Sequence, residues 1–346
     1  MKTGKHHELL QNIVRGMLRA GLVEEVLAFG RGLNEADIVP LFIADQQDVE
    51  RIVAISYYPG SLAKLVARYG DRGKKIGMVV RPCDARAMVE LAKRKQLNLE
   101  NLYLVGIECY GVVKARGKNR EIYIFPEEME IDGELKPLDE AILSPNCRRC
   151  EYPLPTMADV SYRLGQNGRT FAIANTEKGR KILSAANIPV EEGPQPDVTR
   201  VKERSAGYQE REFGKLRQME RRERLNYWLS QFDKCIKCYG CRDSCPLCYC
   251  EDCYLKPERL LVPGEVVPPG TLFHITRLIH VGDSCLNCGQ CEAACPMEIP
   301  ISKLYHALYK ELSSIFGYES GLDVNVLPPV STITEEDRTK TGVDLD

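Results

Sequence analysis

The sequence predicts an α/β domain with a mostly parallel sheet, followed by a mainly helical domain that is rich in cysteine. Short runs rich in β-branched residues alternate with helical stretches over the first 195 residues, and charged residues of both signs dominate the next stretch. Most of the 15 cysteines come after it. We therefore divide the chain into an α/β domain (1–195), a charged helical connector (196–230), a cysteine-rich domain (231–315) and a polar C-terminal tail (316–346).

The α/β prediction depends on hydrophobic periodicity. Residues 7–28 place apolar side chains every three or four positions, which predicts an amphipathic helix. Predicted strands are the runs DIVPLFIA (37–44), IVAIS (52–56), KIGMVV (75–80), LYLVGI (102–107) and TFAIAN (170–175). Helical stretches such as ARAMVELAKRKQ separate some of them, and this alternation is typical of a sheet with parallel strands.

Two segments join and end these domains. Residues 196–230 are dense in Arg, Lys and Glu, which is typical of a solvated helix with pairs of opposite charge. The alternative is a docking surface for a partner subunit. The last stretch, VLPPVSTITEEDRTKTGVDLD, is polar and contains proline, so we expect it to be extended or disordered.

Composition excludes several classes of function. The formal net charge of -2 and the pI of about 6.3 give no reason to expect nucleic acid or an anionic membrane as a partner. No apolar run approaches the roughly 18–20 residues that span a bilayer, and the N-terminal segment lacks a signal-peptide core. We therefore expect a cytoplasmic protein, in which many cysteines indicate metal or redox chemistry rather than disulfides. No nucleophile elbow or H-E-x-x-H motif is present in the sequence, so we predict no catalytic side chain besides the metal sites.

The strongest signal is a repeated motif, C-x-x-C-x-x-C-x-x-x-C-P. This is the spacing of bacterial ferredoxins, in which three close cysteines hold one 4Fe–4S cluster and the fourth usually binds the other cluster. The predicted ligands of cluster 1 are Cys235, Cys238, Cys241 and Cys295. The predicted ligands of cluster 2 are Cys285, Cys288, Cys291 and Cys245.

Residues around the motifs refine this prediction. Gly240 and Gly289 let the backbone pass close to the inorganic sulfides. Zinc is the alternative metal, because four cysteines also suit zinc, but two complete motifs that each end in proline favour iron–sulfur clusters. The chain around the second motif is helical and resembles the α-helical ferredoxin domains of heterodisulfide reductase and of succinate dehydrogenase iron–sulfur subunits. His274 and His280 precede this motif, and we expect them to pack or form hydrogen bonds rather than bind iron.

Four further cysteines lie in the α/β domain: Cys83, Cys109, Cys147 and Cys150. The first two follow predicted strands, so parallel pairing would bring both thiols to the carboxyl edge of the sheet, where α/β proteins bind ligands. A helix that starts near Asp84 would point its N-terminal amides at the same place and favour an anionic cluster. The other two form a C-x-x-C pair. The residues alone leave two interpretations open: a third 4Fe–4S cluster or four unrelated cysteines.

The runs RPCDARAMVE, GIECYGVV and CRRCEYPLPTMADVSYR resemble the beta-subunit family of deazaflavin-coenzyme (F-420 type) hydrogenases and dehydrogenases, which includes formate dehydrogenase beta subunits. The resemblance covers about residues 50–190 and implies that these four cysteines hold cluster 3 beside FAD. Ala158–Ser161 matches the Ala-Asp-(Ile/Val)-Ser segment that follows them in that family. Asp84 stands where the family usually has glutamine. No G-x-G-x-x-G follows a strand, so FAD is implied by the resemblance alone and its ligands are not identified.

Three cysteines have no place in these clusters: Cys248, Cys250 and Cys253. Three interpretations are open for them. They are structural thiols near the clusters, or one of them replaces Cys245 as a ligand, or they form an additional metal site completed by another ligand.

The sequence therefore predicts an iron–sulfur and FAD-containing electron-transfer subunit of a soluble multi-subunit oxidoreductase from an anaerobic host. Its predicted partner is a formate dehydrogenase, hydrogenase or heterodisulfide-reductase-like subunit. One alternative is a flavin oxidoreductase that itself acts on a reduced deazaflavin or nicotinamide coenzyme. Another is a non-redox scaffold in which the clusters are structural.

Overall fold

The chain folds into a sheet covered by helices, followed by a helical region that carries both cysteine motifs. A computed structural model describes residues 5–33, 38–54, 60–69, 73–109, 111–114, 142–164, 170–190, 198–256 and 270–332. Within these ranges, no helix is both long and apolar enough to cross a membrane.

A six-stranded mixed sheet forms the centre of the N-terminal domain. Its strands are β1 (Glu25–Arg31), β2 (Ile38–Ile43), β3 (Ile76–Val80), β4 (Leu102–Ile107), β5 (Val160–Leu164) and β6 (Thr170–Ala174). They are arranged in the order β2-β1-β3-β4-β5-β6. The four inner strands are parallel, and β2 and β6 are antiparallel at the edges. The predicted α/β fold with a mostly parallel sheet is confirmed.

Helices lie on both faces of this sheet. The helices of the domain are α1 (Lys5–Arg19), α2 (Leu62–Tyr69), α3 (Pro82–Lys93), the single turn α4 (Pro145–Arg148) and α5 (Glu177–Ala185). α1 and α5 share a hydrophobic cluster with one face, and α2 and α3 share a second cluster with the other. Alternation along β3 separates the faces, because Met78 and Val80 join the second cluster and Val79 joins the first.

The N-terminal region differs from the prediction. The sequence predicts one helix over residues 7–28, whereas α1 ends at Arg19 and β1 begins at Glu25. Gly21 lies between them with a φ of +63°, a left-handed conformation that ends helices and that glycine adopts without strain. β1 then pairs with β2 and β3, and this pairing outweighs the helical periodicity of its sequence.

One further strand prediction needs correction, and one strand was not predicted. The strand predicted at 52–56 is not formed in its described part, where Ile52 makes an isolated bridge to Gly30. Residues 55 and 56 lie outside the described residues. The sequence did not predict β5, which lies between β4 and β6.

The C-terminal region is mainly helical, as predicted. Its helices, including those of the connector, are α6 (Thr199–Gln218), α7 (Arg221–Phe232), α8 (Gly240–Asp243), α9 (Gly270–Val281), α10 (Gln290–Ala293) and α11 (Ile301–Phe316). The hydrophobic cluster around α2 and α3 continues into this region and includes Tyr239, Leu247, Phe273 and Tyr305. One continuous core therefore joins the α/β domain to the cysteine motifs.

The connector packs beside the C-x-x-C pair of the α/β domain. From α6, Ser205 and Gln209 donate hydrogen bonds to the Arg149 carbonyl, at 2.8 and 3.0 Å. Glu212 forms an ion pair with the Arg149 guanidinium at 2.5 Å. One face of this charged helix is thus a structural contact within the chain.

The predicted tail begins as packed structure. Arg86 on α3 donates to the Ser320 carbonyl at 2.6 and 2.9 Å. Glu90 on the same helix accepts from the Tyr318 hydroxyl at 2.5 Å and from the Gly321 amide at 2.7 Å. Residues 318–321 are therefore held against the α/β domain, and residues 333–346 lie outside the described residues.

Candidate metal centre

Both cysteine motifs form the same backbone turn. Lys237 and Tyr239 in the first motif have φ values of +51° and +60°, and Asn287 and Gly289 take the equivalent places with +54° and +73°. Each turn leads into a one-turn helix, α8 or α10. Of the two motif glycines, Gly289 has the left-handed backbone, whereas Gly240 begins α8, where an added Cβ would lie 3.1 Å from a backbone oxygen.

These turns point backbone amides at the thiols. The N–H of Lys237 donates to Cys235, and the N–H of Asn287 donates to Cys285. The two bonds have the same spacing in sequence, since donor and acceptor are two residues apart in each motif. Amide donors of this kind stabilise negative charge on a metal–thiolate group.

The first cavity is lined by cysteines from both motifs. Its volume is about 290 Å³, including its open mouth. The lining cysteines are Cys235, Cys238, Cys241 and Cys295. Three come from the first motif and the fourth from the second, which is the crossed set predicted for cluster 1.

The second cavity shows the reciprocal arrangement. Its volume is about 410 Å³, again with the open mouth included. The lining cysteines are Cys245, Cys285, Cys288 and Cys291. This is the set predicted for cluster 2, and Arg277 and Tyr305 also line the cavity.

The four cysteines of the α/β domain also come together. Cys83 is the second residue of α3, and Cys109 follows β4, which is parallel to β3. Both therefore lie at the carboxyl edge of the sheet, as the sequence predicts. Burial raises the pKa of Cys109 to about 11, with Cys150 adding to the rise. Burial also raises the pKa of Cys147, and the neighbouring Cys109 and Cys150 add to this rise. The Cys147 thiol accepts a hydrogen bond from the Val112 N–H at 3.2 Å.

This third group adjoins the second motif. Cys83 and Cys288 are close enough for Cys288 to contribute to the raised pKa of Cys83, after burial and nearer groups. Asn146 donates to the Asn287 carbonyl at 3.1 Å, and Asn287 donates to the Asn146 carbonyl at 2.8 Å. The C-x-x-C loop thus sits directly on the turn of the second motif.

Buried nitrogen atoms without hydrogen-bond partners provide a test of whether an anionic cluster fits. Within the described residues, the unpartnered buried nitrogens include Lys237 Nζ, Arg277 Nε and both ring nitrogens of His274. Lys237 belongs to the first motif, His274 lines the first cavity, and Arg277 lines the second. Buried polar atoms normally have a partner, so the Lys237 and Arg277 nitrogens, the single N–H of a neutral His274 and the cysteine set suit an anionic iron–sulfur group in each cavity.

The thiols themselves are not predisposed to act as nucleophiles. Burial raises the pKa of Cys241 to about 11 and that of Cys288 to about 12. At neutral pH such thiols keep their protons until a metal displaces them. Their environment therefore disfavours a reactive free thiolate.

The two histidines and the three remaining cysteines have different surroundings. His274 is buried and stacks on Phe232, with 4.7 Å between ring centroids, and His280 is exposed. Cys248 lies beside Cys245, and Cys250 is exposed. Cys253 is half-buried.

No single-ion site is present in the described part of the chain. There, no three His, Cys, Asp or Glu side chains are grouped so that they could hold one metal ion. A 4Fe–4S cluster takes one cysteine per iron, so its thiols stand farther apart than ligands that share one ion.

Sequence reasoning missed two residues of the site, Arg277 and Asn146. Arg277 is the one Lys, Arg, Asp or Glu residue of α9, GTLFHITRLIHV, and an isolated charge in an apolar helix is a usable signal. Asn146 carries no such signal, because its role depends on the position of Asn287 in space.

Comparisons with known proteins find relatives that match nearly the whole chain. No family model matches the chain. It is 34% identical over 351 residues to the "F420-dependent formate dehydrogenase subunit beta" of Methanocaldococcus jannaschii, with 92% of each chain covered. It is 32% identical over 348 residues to the "F420-dependent formate dehydrogenase 1 subunit beta" of Methanococcus maripaludis, with 90% of each chain covered.

A solved chain of the F420-reducing NiFe hydrogenase complex from Methanosarcina barkeri matches with a TM-score of 0.45 and 16% identity, over 60% of this chain and 84% of that chain. The sequence relatives, which match nearly the whole length, are the stronger finding. The chain belongs to the family of F420-dependent formate dehydrogenase beta subunits.

Proposed function

We propose that this chain is the iron–sulfur electron-transfer subunit of an oxidoreductase complex, with three 4Fe–4S clusters held by its cysteines. When bound, such clusters accept and release single electrons. The side chains and amides of this protein hold each cluster at a fixed place and set the charge around it. We propose the domain boundaries predicted from the sequence, which fall after residues 195, 230 and 315.

The observation that carries the proposal is the crossed lining of the two cavities. Each cavity takes three cysteines from one motif and the fourth from the other, although residues 247–284 separate the two motifs in sequence. Four unrelated thiols would have no reason to cross in this reciprocal way. Ferredoxin-type ligation requires it.

The contacts between sites support a route for electrons. The group around Cys83 adjoins Cys288 of the second cavity, and Arg277 lies between Cys241 of the first cavity and the second cavity. We infer the order cluster 3, cluster 2, cluster 1. Cys238 is exposed, as are Ile236 and Met297 beside it, so cluster 1 is the one positioned to exchange electrons with a partner subunit.

The test is anaerobic purification of the complete chain with iron and sulfide analysis. Three clusters predict about twelve irons per chain, and two predict about eight. Reduction with dithionite, followed by EPR, distinguishes redox-active clusters from structural ones. A preparation that contains zinc, or no iron, contradicts the proposal.

Paired substitutions test the crossed ligation. Cys235→Ala and Cys295→Ala act on the same cluster, so the double variant should lose no more iron than either single variant, about four atoms. Cys235→Ala with Cys245→Ala is the matched control, since it removes ligands from both clusters and should lose about eight. The reverse pattern, about eight irons lost with Cys295→Ala and about four with Cys245→Ala, would rule out the crossed assignment.

A second function is favoured by the names of the relatives. Both are described as F420-dependent formate dehydrogenase beta subunits, and we propose that this chain likewise connects a deazaflavin coenzyme to a formate dehydrogenase or hydrogenase partner, using FAD. Flavin analysis of the anaerobic protein and dye reduction dependent on reduced deazaflavin test this. Bound clusters without flavin or coenzyme-dependent reduction would leave the chain as an electron carrier only.

A further inference from the structure

Arg277 occupies an unusual position between the two ferredoxin-type sites. It is 2% exposed. Its Nη1 donates to Cys241 Sγ at 3.1 Å, and its Nη2 donates to the Cys241 carbonyl at 3.0 Å. Cys241 lines the first cavity, whereas the Arg277 side chain itself lines the second. One guanidinium therefore contacts both sites.

Its positive charge has no carboxylate partner in the described residues. No Asp or Glu there lies within ion-pair distance of Arg277, although ion pairs are formed by many other arginines. The rings of Phe273 and Tyr305 flank the guanidinium, with centroids 5.9 and 5.4 Å from Cζ. A buried charge normally needs a counter-charge, and the thiolates of the clusters are what this chain provides.

A second buried arginine, Arg81, lies near cysteines of the second and third sites, but its charge is differently paired. It lies close to Cys83, Cys109 and Cys288. Its Nε, however, forms an ion pair with Asp84 at 3.1 Å, and both side chains are almost fully buried. The charge of Arg81 is therefore neutralised locally, whereas that of Arg277 is not.

We propose that the uncompensated charge of Arg277 raises the reduction potentials of clusters 1 and 2. Near cluster 3, Asp84 neutralises the charge of Arg81, so the potential of cluster 3 is not raised in this way. A nearby positive charge stabilises the reduced, more negative form of a cluster. The arrangement favours transfer of one electron from reduced cluster 3, which is oxidised, to cluster 2, which is reduced. This inference rests on the proposed function.

The experiment is a potentiometric titration followed by EPR, on the complete chain purified anaerobically. Arg277→Met removes the charge at similar length, and Arg277→Lys is the control that keeps it. We expect Arg277→Met to lower the equilibrium constant for reduction of clusters 1 and 2 at least about tenfold, which is a fall of ~59 mV in reduction potential for one electron. The potential of cluster 3 should not change. The Lys variant should remain near the original potentials.

Two further variants keep the inference testable if Arg277→Met does not fold. Arg277→Gln is uncharged but still able to hydrogen-bond the Cys241 carbonyl. Asp84→Asn releases the charge of Arg81 and should raise the potential of cluster 3. Unchanged potentials in either variant, or an equal shift in Arg277→Lys, overturn the inference. Iron content separates this failure from failure of the proposed function, because a chain with full clusters and unshifted potentials contradicts only the role of Arg277.

Discussion

Replacing Gly289 by alanine should weaken the contact between the C-x-x-C loop of the α/β domain and the second motif. Gly289 has a φ of +73°, and an added Cβ would lie 2.1 Å from Asn146 Oδ1. No real Cβ contact is that short, so the Asn146 side chain must move. Its movement breaks the hydrogen bond that the Asn146 side chain donates to the Asn287 carbonyl.

Two terms determine the cost. A left-handed backbone costs a non-glycine residue about 1–2 kcal/mol. The lost buried hydrogen bond contributes about 1 kcal/mol, so the total is about 2–3 kcal/mol. At about 2 °C per kcal/mol for a large chain, Gly289→Ala should lower the apparent melting temperature by about 4–6 °C.

Gly317 provides the matched control. Its φ is +63°, and an added Cβ would meet nothing within 4 Å. Gly317→Ala should therefore cost only the backbone term, about 1–2 kcal/mol. Melting is measured anaerobically by circular dichroism at one scan rate, because cluster loss makes unfolding irreversible.

A double-mutant cycle gives the decisive comparison. Asn146→Ala should destabilise the original chain and the Gly317→Ala variant equally. It should add almost nothing to Gly289→Ala, because the same hydrogen bond from the Asn146 side chain is already lost. If Asn146→Ala lowers the melting temperature of all three backgrounds by the same amount, the contact between Gly289 and Asn146 is refuted.

Two other predictions follow from the structure. Burial alone would raise the pKa of Glu90, but hydrogen bonds from Lys93 and two other side chains outweigh it and lower the pKa. Glu90 therefore stabilises the fold fully above its unfolded pKa, roughly 4.3, and this contribution is lost as the pH falls through the lower folded value. Glu90→Gln should cost about 3 kcal/mol of stability at pH 7. The difference in melting temperature between the original chain and the variant should shrink below pH 4, and a difference that stays constant with pH would contradict this role of Glu90. Cys150→Ala should lose about four irons and the EPR signal of cluster 3 alone. Cys250→Ala, at an exposed position, should keep all its iron. Iron loss from both variants would count against the assignment of Cys150 to cluster 3.

Sequence reasoning succeeded where the signal is local. The short buried strands β3 and β4 are continuous apolar runs, and their flanking helices have a clear period. It failed over residues 7–28, where an apolar pattern compatible with a helix becomes β1 after Gly21. The choice there is made by hydrogen bonds to β2, the next strand of the chain, and to the more distant β3, and these bonds leave no periodic signal within residues 7–28.

The same division holds for the metal centre. The repeated cysteine spacing by itself determined which thiols belong to each motif, because turn geometry is a property of a few consecutive residues. Only the tertiary structure decided that the C-x-x-C loop rests on the second motif through Asn146 and Asn287. Only the tertiary structure also decided that Arg277 is buried beside Cys241 without a carboxylate in the described residues, whereas Arg81 has one. The reason is physical: burial and charge pairing depend on which distant segments pack together, and spacing along one segment does not encode that.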